Sequence, residues 1–135
     1  MTVSKIAALS GSLLVAVAVL AGLYLAGSPS EQRLLRFDER RVHDLQTISL
    51  SIQAHVDKAD RLPDDLSELI DGQLLTKLPL DPVSQEAYVF ELTSQNSYRL
   101  CAEFSRASDS IPEQDFWFHD GGYQCFNFAP IDEGQ

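Results

Sequence analysis

The sequence predicts an α+β fold: a long N-terminal helix, made of a membrane segment and an amphipathic continuation, packed on a small antiparallel sheet of about four strands. Three observations carry that expectation. The run from Ile6 to Gly27 holds no charged residue, the residues from Leu35 to Val56 place apolar side chains at helical spacing, and beyond Tyr88 short alternating runs are separated by turn residues.

The apolar run comes first. An α-helix rises about 1.5 Å per residue, so this run can cross a hydrocarbon core of about 30 Å, and no other stretch of the chain can. A cleaved secretory signal is the alternative, since Ala26-Gly27-Ser28 offers small residues for cleavage. The run exceeds the usual apolar length of a signal, about 7–15 residues, and Pro29 would follow the scissile bond. The expectation is therefore a transmembrane anchor over 1–27 and a soluble domain over 28–135.

Ser28-Pro29-Ser30 punctuates the end of the anchor, and Ser30 with Glu31 can begin a new helix or continue a lightly kinked one. Leu35, Val42, Leu45, Ile48, Ile52 and Val56 then recur at intervals of three, four and seven with polar residues between, which predicts an amphipathic helix. Its stripe must be covered by the C-terminal half. There, Pro63 and Asp64-Asp65 start a short helix with Leu66, Leu69 and Ile70 inward and Gly72 at its end. The prolines of Leu78-Pro79-Leu80-Asp81-Pro82 leave an extended connection. Tyr88, Phe90 and Leu92, then Tyr98, Leu100, Ala102 and Phe104, alternate with other residues on either side of a polar link from Thr93 to Asn96, which predicts a hairpin. A second hairpin is expected from Phe116 to His119 and from Tyr123 to Phe126, turning at Asp120-Gly121-Gly122. The polar segment from Ser105 to Gln114, with Pro112, reads as a surface loop.

Arg40-Arg41 before Asp44-Leu45, then Leu62-Pro63, Leu66, Leu69, Asp81-Pro82, Tyr88 and Tyr98-x-Leu100 form an order of elements that resembles the major pseudopilin of type II secretion systems and related type IV pilin-like proteins. The resemblance covers most of the region from Arg40 to Phe126. It implies a long helix on a small antiparallel sheet outside the bacterial inner membrane, with a structural or interaction role. Tyr98-Arg99-Leu100-Cys101-Ala102, with Phe116-Trp117-Phe118-His119 and Gln124-Cys125-Phe126, is similar to the subset of such domains that carry two cysteines. The N-terminus departs from the pattern. Gly11 is followed by Ser12-Leu13-Leu14, where a prepilin peptidase site has an aromatic residue and then a glutamate, and the apolar run has no acidic residue to pair with a neighbour's N-terminus. Asp109, Asp115 and Asp120 are too scattered to match the calcium loop of some major pseudopilins.

Basic residues alone, Arg33, Arg36, Arg40 and Arg41 against Lys5, would place the domain in the cytoplasm. The cysteine pair and the resemblance weigh against that count. The expectation is a single-pass protein of the inner membrane with its domain on the periplasmic or extracellular side.

Cys101 and Cys125 are the only cysteines, and in an exported chain an even number favours a disulfide; in a reducing compartment they would be two small buried apolar residues. Alternation turns Cys101 away from the face of Tyr98, Leu100 and Phe104. A bridge would tie the second hairpin over the first and stabilise the domain by about 3–4 kcal/mol through loop closure. His43, His55 and His119 lack the close spacing of a metal site, and the cysteines with His119 lack a fourth ligand and any C-x-x-C pair, so no metal or other cofactor is expected. No G-x-S-x-G element accompanies the serines of Ser105 to Ser110, and capping accounts for Asp64-Asp65. Trp117 and His119 alternate to the face opposite Phe116 and Phe118. They are the candidate partner-binding residues, with packing in the core or beside the disulfide as the competing role.

From Leu62 onward only Lys77, Arg99 and Arg106 offset fourteen carboxylates, a surface that repels phosphate backbones and argues against nucleic acid as a partner. The function expected is non-enzymatic. The partners are the cytoplasmic membrane, through residues 6–27, and pilin-like or secretion-system proteins. A free-standing anchored binding module that reuses the fold is the alternative, and a small hydrolase the third.

Overall fold

A computed structural model describes residues 3–25, 28–70, 75–109 and 115–130. The chain divides into two compact units, Met1–Arg33 and Leu34–Gln135. The first contains helix α1, Val3–Leu25, whose 23 residues give a rod of about 35 Å. Its large apolar side chains from Leu9 onward are between 55% and 88% exposed, on every side of the helix. This helix is long and apolar enough to cross a membrane.

Helix α2 runs Pro29–Ala59. Its start is set by Ser28 rather than Ser30: the Ser28 hydroxyl accepts the Glu31 N–H at 3.3 Å, and Pro29, which has no N–H to lose, takes the first helical position. It ends where Asp60 turns to a φ of 54°, a left-handed conformation that Asp tolerates better than most residues, and the Asp60 N–H closes the last turn on the Val56 carbonyl at 2.8 Å. The predicted stripe is its inner face. Leu45, Ile48, Ile52 and Val56 are buried, while Val42 is half-buried against the same cluster. Toward the N-terminal end of α2 the buried positions become polar: Asp38, Arg41 and Asp44.

The second unit covers that stripe with a three-stranded antiparallel sheet of order β1-β2-β3, where β1 is Val89–Leu92, β2 is Tyr98–Phe104 and β3 is Gly122–Phe128. The expected first hairpin is present, with Phe90 opposite Leu100 and Leu92 opposite Tyr98. Tyr98, Leu100, Ala102 and Phe104 alternate into the core with Arg99 and Glu103 exposed. The fourth strand is absent from the described residues. Phe116 and Trp117 form a turn and Phe118 and His119 are irregular, because the Asp115 carboxylate accepts the Trp117 N–H at 2.9 Å and its carbonyl accepts the Phe118 N–H at 3.1 Å. That local capture replaces strand pairing. Gly122 does supply a positive φ, 96°, but at the entry to β3 rather than inside a hairpin, and β3 pairs with β2.

The short helix after Pro63 is a 3-10 helix, Leu66–Leu69, with the Asp65 carboxylate accepting the Ser67 N–H at 2.7 Å and Glu68 reaching back to the Asp64 N–H at 2.8 Å. Three residues per turn put Leu66 and Leu69 on one side, both buried, and turn Ile70 out to 45% exposure. The expected inward Ile70 is thereby corrected. Gly72, its expected terminator, lies outside the described residues.

Candidate functional site

The polar end of α2 is held by a buried network. Arg41 donates from Nε to Asp81 Oδ2 at 2.6 Å and from Nη2 to Asp81 Oδ1 at 3.2 Å, and its Nη1 serves Asp38 at 2.7 Å and the Ser105 hydroxyl at 3.1 Å. Both carboxylates are satisfied further by backbone. Asp38 accepts the N–H groups of Ser105 and Arg106 at 2.9 and 3.0 Å; Asp81 accepts those of Val83 and Ser84 at 2.8 and 2.9 Å. One turn along α2, Asp44 accepts the Tyr88 hydroxyl at 2.9 Å. Together, Asp38, Arg41 and Asp44 tie α2 to the 81–88 connection and to the end of β2.

These contacts govern the protonation states. Burial alone would pull the Arg41 guanidinium down, but hydrogen bonds to Asp81 and Asp38 outweigh it and hold it above its ordinary value. Burial would raise Asp81, yet the bonds from Arg41, Ser84 and Val83 hold it below the usual carboxylate range. Burial, reinforced by the Asp44 carboxylate, pushes the Tyr88 phenol far up, and burial alone does the same to Tyr98.

Beside this network a cavity of about 340 Å³ opens between α2 and the segments around 107–109 and 115–119. Leu35, Val42 and Trp117 line it with apolar surface, and Glu39, His43, Gln46, Asp109 and Asp115 supply polar groups. The two residues singled out for partner binding meet here. Trp117 is half-buried, with its ring 4.8 Å from that of Phe126 and 5.8 Å from that of Phe128. His119 is buried, stacked 3.7 Å from the Phe104 ring, with Nδ1 3.0 Å from the Trp117 carbonyl. A backbone bond from the Ser108 N–H to the His119 carbonyl, 2.8 Å, fixes the two sides of the mouth together.

Cys101 and Cys125 form a disulfide, S–S 2.06 Å, between residues directly opposite on β2 and β3. The bridge therefore staples neighbouring strands rather than tying one hairpin over another. Strand alternation places it on the face opposite Leu100 and Phe126, whereas Trp117 packs on Phe126 and Phe128. Packing of Trp117 beside the disulfide is replaced by packing on the core side. Among the described residues no three His, Cys, Asp or Glu side chains gather as a metal site.

Sequence reasoning marked Trp117 and His119 but missed Glu39 and Asp109 as lining residues, and read Leu35 and Val42 only as helix stripe. A signal for the network was present in the i, i+3 series Asp38, Arg41, Asp44, which puts three charged residues in line with the apolar stripe. Compared with known protein families, curated proteins and solved structures, the chain matches none.

Proposed function

We propose that the chain is a single-pass membrane protein whose pilin-like domain stands outside the cytoplasmic membrane as a non-enzymatic structural or interaction component related to type II secretion or type IV pilus machinery, with the groove beside Trp117 as its partner site. The observation that carries the reading is the convergence of the residues on which the resemblance rests. Arg41 binds Asp81 and Asp44 binds Tyr88, two buried contacts one turn apart on α2 that hold it to the 81–88 connection, and Tyr98 and Leu100 are buried in the core. The exposed apolar surface of α1 supports the anchor, and the disulfide supports an oxidising compartment.

A second reading is a free-standing anchored binding module. It is favoured by the absence of any acidic residue between Ile6 and Gly27, which removes the charge for subunit pairing. Photo-crosslinkers placed at His43 and Gln46 in native membranes separate the two. Adducts with pilin-like or secretion-system subunits support the first, adducts with other envelope proteins alone support the second, and a protein that yields no adduct has no partner at this groove.

A further inference from the structure

The groove beside Trp117 is acidic, and among the described residues no lysine or arginine lines it. Asp38, Glu39, Asp109 and Asp115 do. Arg41 already matches Asp38, and Asp115 accepts the Trp117 N–H, whereas Glu39 and Asp109 are exposed and have no ion-pair partner among the described residues. Between the carboxylates lie Leu35, Val42 and the indole of Trp117. Apolar walls with carboxylates at the rim suit a group that is aliphatic along its stem and cationic at its tip, and of the aromatic rings an indole attracts a cation most strongly. At about 340 Å³ the space lies at the small end of ligand pockets, roughly 300–1,000 Å³, which fits one or two side chains rather than a large ligand. A formal net charge of −10 adds long-range attraction for a basic partner.

We propose that this groove docks a basic segment of a partner protein, seating an arginine or lysine side chain against Trp117 with Glu39 and Asp109 as its counter-charges. The proposal rests on reading the groove as a partner site and adds the chemistry of the partner.

Trp117 is the only tryptophan, so its emission reports occupancy directly. The full chain in zwitterionic detergent is titrated with a tryptophan-free peptide alternating leucine and arginine, with the same peptide carrying glutamate for arginine, and with arginine amide. Expected is a saturable change with the arginine peptide alone, weakened by added salt. Glu39→Gln combined with Asp109→Asn should weaken it by roughly three- to tenfold, the loss of two exposed ion pairs, while the distant Glu86→Gln leaves it unchanged. Equal response to the glutamate peptide, equal affinity for arginine amide, an unaltered response in the double variant, or no response to any peptide would overturn the proposal. Crosslinks from His43 or Gln46 obtained alongside a failed titration would leave the groove a partner site and remove only its cationic specificity.

Discussion

Arg41 on α2 grips Asp81 with two hydrogen bonds across forty residues of chain, Nε to Oδ2 at 2.6 Å and Nη2 to Oδ1 at 3.2 Å. The pair is buried, and every oxygen of the carboxylate it meets is used. A buried charge left without its partner is costly, so this contact holds the 38–44 stretch of α2 to the loop at Asp81.

Arg41→Ala should destabilise the second unit by about 3–5 kcal/mol, because it strands both Asp38 and Asp81. Arg41→Lys should recover little, since an ammonium cannot span two carboxylates with a planar fork. Urea unfolding of the disulfide-intact protein measures both.

The depressed Asp81 contributes to the acid limb. Above its ordinary value of 3.8 the carboxylate is charged in both states and its stabilisation is complete; as pH falls below that value, the unfolded chain takes up the proton first and stability drops until the folded group protonates. Asp81→Asn should flatten that part of the urea-midpoint profile below about pH 4.

The raised phenols of Tyr88 and Tyr98 fix the alkaline limb. Above an ordinary value of 10.0 the unfolded tyrosines lose their protons while the folded ones keep theirs, so the folded state binds more protons and stability falls as pH rises. Each contributes a slope of up to about 1.4 kcal/mol per pH unit. Tyr98→Phe should remove one such contribution. Tyr88→Phe should remove the other and cost about 1–3 kcal/mol at neutral pH, because Asp44 loses its buried donor. Short-time urea titrations from pH 8 to 11 show either effect.

The disulfide closes a loop of sequence separation 24, and replacing both cysteines by serine should cost about 3–4 kcal/mol. The same variant should leave Trp117 emission in the folded protein unchanged, since the bridge lies on the other face of the sheet. Thermal unfolding and the emission maximum together check this.

What was legible in the sequence is what depends on local period. The α2 stripe from Leu45 to Val56 and the β1–β2 hairpin follow from spacings of 3.6 and 2, and Cys101 and Cys125 paired as their number predicts. Phe116 to His119 alternate like a strand, but one carboxylate, Asp115, offers the backbone a nearer partner than any strand edge. Ile70 faces outward because the short helix is 3-10, whose three-residue period brings Leu66 and Leu69, but not the following residue, to the inner side. Arg41 and Asp81 carried no local sign of each other; charged residues on a helix read as solvated until a distant loop closes over them.

Whether the apolar helix stays on the mature chain and holds the folded domain at a membrane, as proposed, is decided by intact-mass analysis of the protein from carbonate-washed membranes. A membrane-bound chain that retains residues 6–27 and gains mass on alkylation only after reduction is the expected result; a soluble chain beginning near Ser28 would refute the proposal.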